Sequence, residues 1–270
     1  ATAFFRNMAL ENTSDNYDIL WVAPLQIKPM ILASINKEIE RAHAGQPCGL
    51  FFKTNSITDK DIIERIVEAS KAGVPVTLFV RGISCIVPGI TGETDNVRVV
   101  SIVGRLLEHS RIYGFGPHDD MKLYLSSADL MTRNMDKRIE IAWPILDGTL
   151  RDYVLGYIDV CLSDTAKLRE LLPDKSYTPL GAFAKENSEG EVERFDSQTF
   201  FINRAQRKRL EAAEDQAVSD LEHFKEQSAK NAQKEAIAAA ERRLAEADMD
   251  VIVPDEVEPP RADAQAGAAG

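Results

Sequence analysis

The stretch CGLFFKTNSITDKDIIERIVEASKAGVPVTLFVRG, Cys48–Gly82, decides the fold. Its first part, Cys48 to Lys53, is short, apolar and aromatic, as a buried strand requires. Polar NSITD follows, and Ile62, Ile63, Ile66, Val67 and Ala69 then recur at helical spacing until Gly73 stops the run. Val74 to Val80 is apolar nearly throughout, the pattern of a strand covered on both faces. A strand, a helix of several turns and a second strand make a crossover that sets the two strands parallel.

The same rhythm extends outward. Toward the amino end, Ile19 to Val22 is a short strand stopped by Pro24, and from Pro29 an amphipathic helix carries Ile31, Ile35 and Ile39 before Gly45. Toward the carboxyl end, VRVVSIV (Val97 to Val103) is a fourth strand. SRIYGF (Ser110 to Phe115) and MKLYLSS (Met121 to Ser127) are too close for a helix between them, so GPHDD is expected to turn a hairpin. RIEIAWPI (Arg138 to Ile145) and the helix LRDYVLGYIDVCL (Leu150 to Leu162) complete an α/β domain over residues 18–204, in which a mixed, largely parallel sheet is flanked by helices. Residues 1–17 are expected to be a connector from a preceding domain, and the polar stretch from Leu171 to Ile202 to pack over the surface.

Residues 205–248 are a different material, rich in Ala, Glu, Lys and Arg and free of Gly and Pro, and predict a long exposed carboxyl-terminal helix. Its apolar positions, Leu210, Val218, Leu221, Phe224, Ile237 and Leu244, form a broken heptad that fits a solvated helix or a coiled coil. Residues 249–270 have the composition of a disordered tail.

Composition narrows the function. With 32 Lys and Arg against 43 Asp and Glu, the formal charge of −11 opposes nucleic acid and anionic membranes in bulk, so any anion site must be a local cluster of cations. Cys48, Cys85 and Cys161, odd in number and set in apolar surroundings, read as reduced core residues of a cytoplasmic protein. No apolar run reaches the roughly 20 residues that span a bilayer, and no secretory leader opens the chain. The start at Ala1 without a Met is what processing, or excision from a longer polypeptide, would give.

Four polar blocks fall at expected strand ends: KTNS (Lys53 to Ser56), VRGISC (Val80 to Cys85), EHSR (Glu108 to Arg111) and SSADLMTRNMDKR (Ser126 to Arg138). Ligands of α/β sheets collect beyond the carboxyl ends of strands, and a guanidinium there matches phosphate oxygens in pairs. Singly, each residue has an ordinary alternative. Arg81 could be a surface ion pair, Asn55 and Ser56 a helix cap, Arg133 and Arg138 partners of Asp129, Asp136 or Glu140, and His109 a structural histidine. Together they predict a phosphate site made of Asn55, Ser56, Arg81, His109, Arg111, Arg133 and Arg138.

The order His109, Ser110, Arg111, hairpin, Ser126, Ser127, Ala128, Asp129 resembles the phospholipase D superfamily, in which a histidine and a lysine two residues on precede a strand and a second strand ends in a small-residue turn with Asn or Asp. Arg111 stands for the lysine and Gly116 for the usual Asp, departures that tell against a generic diesterase. A narrower resemblance runs from about Tyr17 to Ile202. VRGISC, SIVGRLLEHSRI and YLSSADLMTRNMDKRIEIAWPI are similar to the last catalytic domain of bacterial polyphosphate kinase of the first, histidine-phosphorylated type.

That resemblance implies reversible transfer of the ATP γ-phosphoryl to polyphosphate through a phosphohistidine, with magnesium. His109 would correspond to the second histidine, which helps to bind ATP and assists proton transfer; Arg81 would correspond to a nucleotide phosphate-binding arginine and Arg138 to another active-site arginine. The phosphohistidine and the magnesium ligands would lie in an amino-terminal domain absent from this chain, leaving it inactive alone. The family also implies homo-oligomers and a cytoplasmic protein found at the inner membrane surface. A dimeric diesterase and a non-catalytic polyanion-binding module are the alternative readings.

Overall fold

A computed structural model describes residues 2–10, 17–179 and 194–249. The chain divides into two units, Ala1–Asn203 and Arg204–Gly270. In the first unit the strands are β1 (Trp21–Val22), β2 (Leu50–Thr54), β3 (Val76–Val80), β4 (Val97–Ile102), β5 (Arg111–Phe115), β6 (Lys122–Ser126), β7 (Ile141–Pro144), β8 (Leu168–Leu171) and β9 (Tyr177–Pro179). The helices are α1 (Thr2–Ala9), α2 (Ile27–His43), α3 (Lys60–Lys71), α4 (Thr132–Asp136), α5 (Gly148–Leu162) and α6 (Ser197–Met249), the last continuing into the second unit.

The strands form one sheet in the order β1-β7-β6-β5-β2-β3-β4-β8-β9. The sheet is mixed, as the sequence implies, but it is not largely parallel. Only β2 with β3 and β3 with β4 run parallel, and the other pairings are antiparallel. The reason lies in the connections. The β5–β6 link is a hairpin, as GPHDD predicts, and among strands that neighbour each other in the sheet only β2 and β3 are joined through a crossover helix.

Alternation along the strands divides the core. Phe52, Leu78 and Val99 face α2 and α3, meeting Ile27, Ile31, Ile35, Ile62 and Ile66. Their neighbours Phe51, Phe79 and Val100 face α5, meeting Leu155, Ile158 and Cys161. Helices therefore cover both faces of the central strands, which explains why those strands read as continuous apolar runs.

Several local expectations need correction. The stretch after Leu162 holds β8 and β9, with Leu168 and Leu171 buried, so part of it is sheet and not surface covering. Residues 2–9 form a helix whose Phe4 packs edge-on to Tyr17. The long helix starts at Ser197, and its Leu210, Leu221, Phe224 and Ile237 are exposed. Of the cysteines, Cys161 is buried, Cys48 half-buried and Cys85 exposed, so Cys85 is no core residue. The segment 180–193 and the tail from 250 lie outside the described residues. Among the described residues no helix is long and apolar enough to cross a membrane.

Phe52 is fully buried and stacks edge-on against Phe115, so Phe52→Ala is expected to lower the unfolding free energy by about 3–5 kcal/mol, as a large core cavity does. Leu210→Ala, on the exposed helix, should change it by no more than about 0.5 kcal/mol. Urea unfolding of both variants checks the layer assignment, which equal losses would contradict.

Candidate functional site

Sheet topology gathers the polar blocks. β2 and β3 are parallel, and β6 has the same sense because β5 lies antiparallel between it and β2. The carboxyl ends of these strands, at Thr54, Val80 and Ser126, therefore share one edge with the amino ends of β5 and β7. Beyond that edge Ile57 bridges both Ser84 and Leu130, which draws together the loops after β2, β3 and β6.

Asp129 is the hub of these loops. Its carboxylate accepts from Arg111 Nε at 3.0 Å and Nη2 at 2.9 Å, from the Asn55 backbone N–H at 2.8 Å and from Thr54 Oγ1 at 3.1 Å. Burial pushes the Asp129 carboxyl up, but the Arg111 guanidinium, the Asn55 N–H and the Thr54 hydroxyl together hold it below the usual range. Arg111 Nη1 also donates to the His109 carbonyl at 3.0 Å. On the other side, Arg81 Nη2 donates to Asn55 Oδ1, and Asn55 Nδ2 donates to Ser56 Oγ at 3.2 Å. The Arg81 Nε is buried and has no hydrogen-bond partner among the described residues. Asn55 and Ser56 do not cap α3. Asp59 does, accepting from the Ile62 N–H at 3.2 Å.

A second cluster flanks this relay. Ser126 Oγ donates to the Ile141 carbonyl at 3.0 Å and accepts from the Ala128 N–H at 3.0 Å, fixing the small-residue turn. Ser127 Oγ and Asn134 Nδ2 both donate to Glu140. Arg138 lies 3.9 Å from the same carboxylate with its side chain half exposed. Arg133 is exposed on the one-turn helix α4, and no described contact joins it to the relay. The His109 side chain is exposed and makes no hydrogen bond or ion pair among the described residues.

The structure thus links Arg81, Asn55, Ser56, Asp129, Arg111 and the backbone of His109 directly. Arg138 joins through Glu140 and the Ser127 turn, and Arg133 stays apart. Guanidiniums can neutralise anionic oxygens, and an exposed imidazole can exchange a proton with them.

Sequence reasoning missed what lies beneath. Lys53 is 2% exposed, its Nζ 3.1 Å from Glu108 Oε2 and 4.6 Å above the Phe79 ring centre. A lysine inside the apolar run LFFKT was the available signal, since a buried ammonium requires a carboxylate nearby.

Residues 20–191 match the family model for polyphosphate kinase C-terminal domain 2. The chain is 48% identical over 170 residues to a polyphosphate kinase of Staphylococcus epidermidis, covering 63% of this chain and 23% of that protein. It is 44% identical over 167 residues to the polyphosphate kinase of Escherichia coli K12, covering 61% and 24%. The crystal structure of a Porphyromonas gingivalis polyphosphate kinase superposes with a TM-score of 0.68 at 31% identity, over 77% of this chain and 31% of that one. The chain therefore spans about a quarter of the length of these curated relatives.

Asp129→Asn leaves Arg111 without its counter-charge and is expected to destabilise the unit by about 3 kcal/mol near neutral pH. Because the folded-state pKa of Asp129 lies below its ordinary 3.8, this contribution is complete above that value and fades as pH falls below it. Denaturant titrations at neutral and strongly acidic pH should show the gap between variant and parent closing in acid. A gap that does not change with pH would contradict the ionised pair.

Proposed function

The chain belongs to the polyphosphate kinase C-terminal domain family, and from that membership we propose that its cationic sheet edge holds the triphosphate of ATP and the end of a polyphosphate chain, as half of a phosphoryl-transfer site. The observation that carries this reading is the relay from Arg81 through Asn55 and Asp129 to Arg111, which fixes the strand ends around an exposed His109. Phosphoryl transfer asks for little covalent chemistry from the protein and much positioning and charge neutralisation.

In this reading Arg81 and Arg138 pair with phosphate oxygens. Arg133 adds an exposed positive charge at the rim, and Asn55 and Ser56 orient Arg81. Arg111 is engaged by Asp129 through Nε and Nη2 and by the His109 carbonyl through Nη1, so it stiffens the His109 backbone more than it binds ligand. The Ser126 and Ser127 turn keeps Asp129 and Glu140 in place. His109 binds an oxygen and gives or takes a proton.

The nucleophilic histidine comes from elsewhere. His118 pairs with Asp159 at 2.8 Å beyond the far end of β5, and His43 closes α2 before β2 begins, so both lie at the opposite edge. His223 belongs to the second unit. Among the described residues there is no group of three or more His, Cys, Asp or Glu that could hold a metal ion, and the magnesium implied by the resemblance is assigned in this reading to ligands outside this chain. Amino-terminal domains of a longer kinase would supply both, with this chain inactive alone. A homo-oligomer, a cytoplasmic setting and contact with the inner membrane surface belong to the same proposal.

Calorimetric titration with ATP and with short polyphosphate is expected to show salt-sensitive binding that weakens about tenfold or more on Arg81→Ala or Arg138→Ala, as loss of a charge-assisted pair does. Arg81→Lys should recover only part of it. His109→Ala should spare most of the binding but, once the amino-terminal part is supplied, cut radiolabelled phosphate transfer by about a hundredfold or more. Polyphosphate synthesis by residues 1–270 alone, or binding indifferent to both arginines, would contradict the half-site.

A further inference from the structure

His109 has no side-chain anchor of its own, yet both of its neighbours are tied down. Glu108 Oε2 accepts from Lys53 Nζ at 3.1 Å and from Tyr157 Oη at 3.1 Å, while Ser110 Oγ lies 3.2 Å from that same Tyr157 hydroxyl. Glu108 Oε1 accepts from Gln198 Nε2 at 2.9 Å. The Gln198 amide also brackets Leu106, donating to its carbonyl at 2.8 Å and accepting from its N–H at 2.9 Å, as a paired strand would. Burial pushes the Glu108 carboxyl up, and Gln198, Lys53 and Tyr157 outweigh that to hold it below the usual range.

Gln198 is itself fixed. It is 2% exposed and sits in the first turn of α6, where Ser197 donates through its N–H at 2.8 Å and its Oγ at 2.7 Å to the fully buried Asp164. The same Asp164 carboxylate accepts from the N–H groups of Ala166 and Lys167 ahead of β8. Gly104 makes room for the amide, since a Cβ there would collide with Gln198 Oε1. Gln198 lies past residues 20–191, the part matched by the family model.

We propose that Gln198, acting through Glu108 and Leu106, is the positioning residue that sets where the His109 ring stands at the phosphate edge. The inference rests on the phosphate reading for its purpose and on the unliganded protein for its test. The Gln198 amide has a geometric fit that a shorter side chain cannot reproduce, because it closes two hydrogen bonds with the backbone of one residue and a third with a half-buried carboxylate. Without it, Leu106 to Ser110 would keep the Tyr157 and Lys53 anchors and the Arg111 bond to the His109 carbonyl but lose the hold on Leu106, and the exposed ring would sample more than one place.

The test is nuclear magnetic resonance of the full chain without ligand. In the parent, the Leu106 amide proton is expected to exchange slowly, and the His109 ring to give a single sharp signal. Gln198→Met keeps the buried volume and removes the amide. It should speed Leu106 exchange about tenfold or more and broaden or split the His109 ring signal, while amides of β2 and β3 stay protected. Gly104→Ala, which displaces the amide from a different residue, should reproduce both effects.

Folded variants with unchanged Leu106 exchange and an unchanged ring signal would overturn the proposal, and so would rapid Leu106 exchange in the parent, which needs no variant. Failure of the phosphate reading would appear separately, as absence of ATP binding by a parent whose ring signal responds to Gln198 as described.

Discussion

The paired bonds between Arg111 and Asp129 are the constraint on which this architecture turns. A carboxylate that is 7% exposed must be matched by donors, because an unpaired buried charge costs several kcal/mol. Asp129, on the turn after β6, finds its donors on two other segments: Thr54 and Asn55 at the end of β2, and Arg111 at the start of β5. Satisfying one side chain thus fixes the relative positions of three loops. Arg81 is then placed through Asn55 and the His109 backbone through Arg111. Such a pair is weak evidence for added stability; its value is geometric, because each displaced loop would strand a charge.

Below this polar layer a second buried pair, Lys53 with Glu108, does for the His109 loop what Asp129 does for the arginines. The two layers differ in reach. Asp129 is served by residues close by in the sheet, whereas Glu108 draws on Tyr157 in α5 and on Gln198 at the head of α6. The position of the imidazole therefore depends on elements outside the strands that carry the arginines. A long helix that begins by holding a site loop gives its first turn a role independent of whatever its exposed remainder does.

Much of this was legible in the sequence, for definite reasons. Cys48–Gly82 announced its crossover because helical spacing between two apolar runs has few other solutions. The polar blocks at strand ends were legible because Arg81 and Asp129 interrupt apolar patterning abruptly. Strand direction was not. A strand covered on both faces reads as the same apolar run whether its neighbour is parallel or antiparallel, so the antiparallel majority of the sheet escaped. β8 and β9 are only 4 and 3 residues long, too short for a period to emerge. Asp59 displaced Asn55 and Ser56 as the α3 cap because the helix starts later than the polar run. Gln198 could not have been found, since nothing local connects it with Leu106, 92 residues earlier.

The electrostatic question is how a chain of formal charge −11 could attract a triphosphate at all. Local sign matters more than the total within a Debye length of about 8 Å, and at this edge the carboxylates of Asp129, Glu140 and Glu108 are engaged by hydrogen-bond donors. The opposite edge offers a rival: a cavity of about 480 Å³ lined by Lys37, Arg41 and Lys122, with Glu38 and Glu40 among them. Chemical-shift mapping of the labelled chain with a slowly hydrolysed ATP analogue separates the two edges directly. The account predicts perturbations centred on Arg81, His109 and Arg138. Shifts clustered at Lys37, Arg41 and Lys122 instead, or none on either edge, would contradict it.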